Sequence, residues 1–150
     1  MAAVDATNPN ATASTIGNRR SDMVDSLLIL RDITDGAEST TAAEAGVSVN
    51  AEKLCYYKAV VHHNAIGGTV DGSNYWTLTI EASDNNSDWV TIASRQLAAA
   101  AARYDIAIEG EDVASFMAAS GENEAIYMRV VATETGTTAG DLTYGAHLTI

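Results

Sequence analysis

Cysteine and proline are almost absent, since the 150 residues include one of each, Cys55 and Pro9. Because a lone cysteine cannot form an internal disulfide, the fold must depend on its own hydrophobic core. A domain of this length can bury about 68–70% of its unfolded surface, which is enough for such a core. Cys55 lies in the run "LCYYKAVVHH" without a basic cluster beside it, which favours a small buried hydrophobic residue over a reactive thiol.

Basic residues are also scarce. The chain has eight Lys and Arg residues against twenty Asp and Glu residues, a net charge of -12. It lacks the positive charge with which proteins attract phosphate backbones, so we expect no nucleic-acid ligand. Anionic membrane surfaces are disfavoured for the same reason, and mutual repulsion favours solubility. The densest acidic stretch, "EGEDVASF" at residues 109–116, is typical of a solvated surface.

Sequence signals for export, membrane insertion and catalysis are missing as well. Residues 1–18 contain no Lys or Arg followed by a long apolar stretch, so we expect neither a signal peptide nor a transmembrane helix. The chain has no Gly-x-Ser-x-Gly elbow, Walker loop, Rossmann fingerprint or paired-cysteine zinc spacing. Carboxylate pairs such as Glu109 and Glu111 are expected by chance among twenty acids, so we predict no enzyme activity, no metal and no cofactor.

A polar arm followed by short apolar runs makes up the rest of the sequence. Residues 1–23 are rich in Ala, Thr, Asn and Ser, which indicates an extended arm too poor in apolar side chains to fold alone. Residues 24–150 form the predicted domain, with eight β-branched and aromatic runs separated by Gly, Asn, Asp and Ser. This layout predicts an all-β sandwich or barrel. The runs are residues 25–32, 45–50, 55–66, 74–83, 88–94, 103–110, 125–134 and 141–150.

Helical sequence is limited to two short places. The alanines of Ala98–Ala102 are strong helix formers, and they predict a turn or two of helix at most. A second short helix is expected within "GEDVASFMAAS", residues 110–120.

Alternation of apolar and polar residues assigns the strand faces of an antiparallel two-sheet sandwich. On the last strand, Thr143, His147 and Thr149 are predicted to face outward. Tyr127 and Val131 make the outer face of the seventh strand partly apolar, which suggests that another segment or subunit covers it. The residues predicted for the core are Trp76, Leu78, Ile80, Ile106, Ile108, Met128 and Leu148.

The acidic stretch "SDNNSD", residues 83–88, interrupts two alternating runs. Asp84, Asn86 and Asp88 have the spacing that opens a calcium-binding EF-hand loop, but Trp89 replaces the loop glycine and Arg95 the bidentate glutamate. Asn and Asp tolerate turn conformations, so the stretch predicts a hairpin loop of about four to six residues. A weak cation site in the loop is the alternative.

The three histidines do not predict a metal site. His62 and His63 are adjacent, so on a strand they point to opposite faces and cannot bind one metal together. Whether His147 approaches one of them is open at this level.

The order of these features resembles the small jelly-roll cement, or decoration, proteins on the outside of tailed-bacteriophage capsids. The likeness covers roughly residues 24–150 and lies in the strand layout, from "SLLILRD" through "YWTLTIEASDNNSDWVTIAS" to "IYMRVVATETGTTAGDLTYGAHLTI". It implies a jelly-roll-like antiparallel sandwich of about eight strands and a structural role on the virion. Such subunits are made in the host cytoplasm and associate as dimers or trimers that clamp neighbouring major capsid proteins.

Two hypotheses about contact residues follow. Arg19 and Arg20 stand before the first strand of an otherwise acidic chain and would suit an acidic patch on the capsid. Self-association would multiply weak contacts with a symmetric shell, and we favour a trimer over a dimer. The alternative is a carbohydrate-binding sandwich, whose sugar platform would use exposed rings such as those of Tyr56, Tyr75 and Tyr127.

Overall fold

A computed structural model of the protein describes residues 28–50, 58–108 and 125–149. Besides strands, these residues form one turn of 3-10 helix at Ile33–Asp35, capped by Asp32. The strands are β1 (Ile29–Arg31), β2 (Ala37–Glu38), β3 (Ala42–Ala43), β4 (Val47–Asn50), β5 (Lys58–His63), β6 (Tyr75–Ser83), β7 (Val90–Gln96), β8 (Ala102–Ala107), β9 (Ala125–Thr135) and β10 (Leu142–Thr149).

The strands form two antiparallel sheets. In sheet I, β10 pairs with β1, β2 and β5, and β5 pairs in turn with β8. In sheet II, β9 pairs with β3, β4 and β6, and β6 pairs in turn with β7. The short β1 and β2 follow each other along β10, and β3 and β4 follow each other along β9. Each sheet therefore has four strand positions, the first of them interrupted.

The strand order defines the architecture. Sheet I has the order β1-β10-β5-β8 and sheet II the order β3-β9-β6-β7, so most consecutive strands lie in opposite sheets. Two four-stranded sheets connected in this way form a jelly roll. The prediction of an all-β, jelly-roll-like sandwich of about eight strands is thus confirmed. The arm predicted at residues 1–23 lies outside the described residues.

The core lies between the sheets and follows the predicted alternation. On β6, Trp76, Leu78, Ile80 and Ala82 are fully buried, while most of the residues between them are half-buried. The indole Nε1 of Trp76 donates to the carbonyl of Gly140 at 2.7 Å, which satisfies its polar atom in the interior. All seven predicted core residues are buried, namely Trp76, Leu78, Ile80, Ile106, Ile108, Met128 and Leu148.

The outward residues of the central strands are less exposed than the alternation suggests. Thr143 and His147 are half-buried on the outer side of β10, and Thr149 is only 8% exposed. On β9, the outward Tyr127 and Val131 are half-buried. Both strands lie in the middle of their sheets, where side chains of the flanking strands cover short neighbours.

No helix forms at Ala98–Ala102, where the sequence predicts a turn or two at most. β7 ends at Gln96 in sheet II and β8 begins at Ala102 in sheet I, so the connection must cross between sheets that pack about 10 Å apart. The amide of Leu97 donates to the carbonyl of Trp76 at 2.9 Å. The carbonyl of Ala99 accepts from the amide of Ile66, in the loop after β5, at 2.9 Å. With Leu97 buried, tertiary contacts override the local helix propensity.

The second expected helix, at residues 110–120, lies outside the described residues. The same holds for Cys55 and for the pair Glu109 and Glu111.

Candidate functional site

The outer face of sheet I carries a group of basic side chains. On β5 and β8, Lys58 Nζ lies 3.0 Å from Asp105 Oδ2, and Arg103 Nε lies 3.5 Å from Asp105 Oδ1. All three side chains are solvent-accessible, so the ion pairs add little stability. The hydrogen bond from Lys58, with the positive charges of both bases, lowers the pKa of Asp105. Two bases share one carboxylate, which leaves this part of the face positive.

Two histidines lie on the same face. His62 of β5 is the register partner of Gly145, and His147 lies two residues further along β10. The His62 ring lies against the bare Cα of Gly145, since a Cβ there would come within 2.6 Å of the ring's Cε1. His63 faces the core instead, is 3% exposed and stacks on Tyr104 with ring centroids 5.9 Å apart. The prediction that His62 and His63 point to opposite faces is therefore confirmed.

The surroundings of His147 disfavour its charged form. Partial burial lowers the pKa of His147, and the nearby positive charges of His62 and Arg103 lower it further against the opposing effect of Asp105. The two histidines thus approach each other across the β5 and β10 pairing, which sequence spacing left open.

A shallow pocket of about 180 Å³ lies beside this pair of histidines, with Ile29 and Ile33 as apolar walls. Asp32 also lines it, but its carboxylate accepts from Thr34 N at 2.9 Å and Thr34 Oγ1 at 2.8 Å. These hydrogen bonds lower the pKa of Asp32 and hold its Oδ1 at the 3-10 turn. Within residues 28–50, 58–108 and 125–149, no group of three or more His, Cys, Asp or Glu is placed to hold a metal ion.

The buried Arg31 joins the two sheets at one edge of the sandwich. A register shift after Ile29 places Arg31 opposite the core residue Ala146, with its guanidinium 4.7 Å above the Tyr144 ring. It bonds Glu38 at 2.8 Å in sheet I and Glu44, which follows β3 in sheet II. Burial alone would lower the pKa of Arg31, but the hydrogen bond to Glu44 and nearby charges raise it. Sequence patterning did not single out this group.

The outer face of sheet II has a different character. Arg129 of β9 and Glu81 of β6 are register partners, and Arg129 Nη2 and Nε lie 2.7 and 2.8 Å from Glu81 Oε2. The Arg129 guanidinium also lies 4.1 Å from the centre of the Trp89 ring. A Cβ at Gly46 would come within 2.7 Å of the Trp89 ring, so glycine allows this packing. Sequence patterns do not predict this cluster, because strand register brings its members together.

The strand residues around this cluster are uncharged. Threonines dominate, together with serine, tyrosine and valine, and most on the central strands are half-buried. The outward residues of β6 and β9 other than the ion pair are Tyr75, Thr77, Thr79, Ser83, Tyr127, Val131, Thr133 and Thr135.

Tyr75 and Tyr127 lie on this face but at opposite ends. Tyr75 pairs with Thr135 and Tyr127 pairs with Ser83, eight residues along β6 from Tyr75. At about 3.3 Å per residue, roughly 26 Å separate the two positions. Both rings are half-buried, and together they do not form one aromatic platform.

Three predicted contact residues lie outside the described residues: Arg19, Arg20 and Tyr56.

The Asp and Asn stretch forms the predicted hairpin loop, of six residues, between β6 and β7. Asn85 Oδ1 accepts from the amides of Ser87 and Asp88, each at 2.8 Å, and Asn85 Nδ2 donates to Asp88 Oδ2 at 2.8 Å. Asn86 adopts φ 57°, a conformation that asparagine tolerates. The turn interpretation is confirmed, and the side chains serve the turn.

Comparison with known families and with curated proteins finds no match to this chain. Across the part of the chain that the structure describes, no helix is long and apolar enough to cross a membrane.

Proposed function

We propose that this protein is a structural protein of a tailed-bacteriophage particle. It binds the outer surface of the capsid as a homo-oligomer and stabilises the shell by clamping neighbouring major capsid subunits. In this role it performs no catalysis and needs no cofactor. It is made in the host cytoplasm and resides on the outside of the virion.

The observation that carries the proposal is the jelly-roll strand order of the two sheets. The resemblance to capsid cement proteins implies this fold, and jelly rolls are common among viral capsid and lectin domains. Because a fold alone does not imply function, the character of the surfaces must also suit the role. A high negative charge suits this role, since the charge keeps free subunits soluble and away from nucleic acid before they dock.

We assign the outer face of sheet I to the shell. Lys58 and Arg103 share one carboxylate there, and His62 and His147 lie beside them, so basic side chains outnumber acidic ones on the paired strands β5 and β8 of this face. An acidic patch on the shell would complement it. Arg19 and Arg20, before β1 in sequence, would add to the same attraction.

The alternative of a carbohydrate-binding sandwich has less support. A sugar platform needs exposed rings that lie together, whereas Tyr75 and Tyr127 are half-buried and roughly 26 Å apart along β6. The Trp89 ring is covered on one side by Arg129.

Co-sedimentation with capsids assembled without this protein tests the proposal. The full chain should pellet with the shells and saturate at a fixed number of copies per capsid. The double variant Lys58→Gln with Arg103→Gln should bind at least about tenfold more weakly, because it removes the positive charge of the face.

The matched control is Ala98→Glu with Ala100→Glu, in an exposed loop between the sheets. Each double variant lowers the net charge by two, so the control reports the effect of overall charge. A full chain that stays in the supernatant would refute the capsid role. Equal weakening by both doubles would refute the assignment of the sheet I face.

A further inference from the structure

The outer face of sheet II carries no net charge in the described strands, although the protein is strongly acidic. The charged residues that the described strands place on this face are Glu81 and Arg129, and they neutralise each other at 2.7 Å. Apart from Asp105 on β8, the exposed acidic residues of the described ranges lie in loops and turns. The acidic charge of the chain, -12 in total, is thus kept off this face in the part described.

We infer that two copies of the chain pack together through the outer face of sheet II, about a two-fold axis. The inference rests on the self-association in the proposed function and names the surface that performs it. Copies with a net charge of -12 repel each other. They therefore associate best through a surface that carries no net charge. Interface cores are depleted in charged residues, and on this face the charged residues of the described strands are limited to the neutral pair of Glu81 and Arg129.

The middle of the face suits sheet-to-sheet packing. Thr79 of β6 and Val131 of β9 are register partners there, followed by the pair Thr77 and Thr133. These short β-branched side chains are half-buried, and they form a level surface without long charged groups. Sheets with such faces pack about 10 Å apart with interdigitated side chains.

The size of the face fits a reversible dimer. β6 has nine residues, or about 30 Å of strand, and four strand positions span about 19 Å. Each copy would bury roughly 570 Å², and the pair about 1,100 Å², close to the lower end of specific interfaces. A face that packs against its own copy closes as a dimer, whereas a trimer needs two different patches, so this surface favours a dimer over the trimer expected from the sequence.

Sedimentation-velocity ultracentrifugation of the full chain over a concentration series tests the inference. Wild type should form a dimer. Thr79→Lys should weaken dimerisation about 100-fold or more, because the symmetric contact would bury two unpaired charges. The matched control is Thr143→Lys, a half-buried outward threonine on the central strand of sheet I, and it should leave the dimer intact.

Thr133→Lys, on the strand beside Thr79, repeats the test if Thr79→Lys fails to fold by circular dichroism. A monomeric wild type, a trimer, or a dimer that survives both substitutions would overturn the inference. So would a dimer that Thr143→Lys disrupts equally. Capsid co-sedimentation of the same variants separates the two proposals: a dimer that ignores capsids contradicts only the capsid role, and a monomer that binds them contradicts only the dimer.

Discussion

At the scale of single residues, Arg31 is the clearest link between the sheets. Its side chain is 4% exposed, and it pairs with Glu38 in sheet I and with Glu44 after the first strand of sheet II. The carboxylates are partly buried, at 22% and 21% exposure. Removing the guanidinium would leave both of them without their positive partner, and breaking a buried ion pair in this way is strongly destabilising.

Arg31→Met should therefore lower the free energy of unfolding by about 3 kcal/mol, measured by urea denaturation at neutral pH. The triple variant with Glu38→Gln and Glu44→Gln should recover most of that loss, because no buried charge remains uncompensated. A single variant as stable as wild type would show that this group does not hold the sheets together.

His147 makes stability depend on pH. Its pKa in the folded protein lies below the ordinary value of about 6.5, chiefly because of burial and then because of His62 and Arg103. Between that lowered pKa and 6.5, the unfolded chain binds more protons at this residue than the folded protein does. The contribution of neutral His147 to stability is therefore complete above about pH 6.5 and is lost as the pH falls.

The His147→Gln variant removes the titrating group. As the pH is lowered from 7.5 to 5, the melting temperature of wild type should fall by more than that of the variant. Asp105 and the other carboxylates titrate in both proteins and largely cancel in that difference. A difference that stays constant over this range would contradict the assignment of the lowered pKa.

At the scale of elements, alternation predicted well where a strand has one face in the core. β6 shows this most clearly, with Leu78 fully buried and Thr77 half-buried on the opposite side. Alternation does not describe Ala98–Ala102, where a crossing between sheets overrides helix propensity. It also missed the inward Arg31, because a register shift in β1 changes the face there.

The β6 assignment predicts unequal costs for neighbouring substitutions. Leu78→Ala should cost about 2–5 kcal/mol of unfolding free energy, because it leaves a cavity between the sheets. Thr77→Ala should cost less than about 0.5 kcal/mol, since it removes a half-buried methyl and hydroxyl from the outer face. Urea denaturation of both variants measures the contrast, and similar costs would show that the two faces had been misassigned.

Contacts between distant segments lie beyond what strand patterns predict. His62 and His147 meet because β5 pairs with β10, and Trp89 meets Arg129 because β6 pairs with β9. Alternation says which face a residue takes but not which strand lies next to it. The fold class was therefore accessible from sequence, whereas the two candidate surfaces needed the register.

At the scale of the whole molecule, the jelly roll separates two kinds of surface. Sheet I presents basic side chains and histidines outward, and sheet II presents a threonine-rich face whose two charged residues neutralise each other. Opposite faces of one sandwich can serve two partners at once, so a subunit could contact a shell through one sheet and a second copy through the other. Two linked subunits would then bind a symmetric shell more tightly than one.

Electron cryomicroscopy of capsids incubated with the full chain would show directly whether this protein binds the shell. We expect sandwich-shaped density at symmetry-related positions on the outer surface, with the outer face of sheet I toward the shell. Shells that remain bare at saturating protein concentration would contradict the claim that this chain is a capsid-binding structural protein.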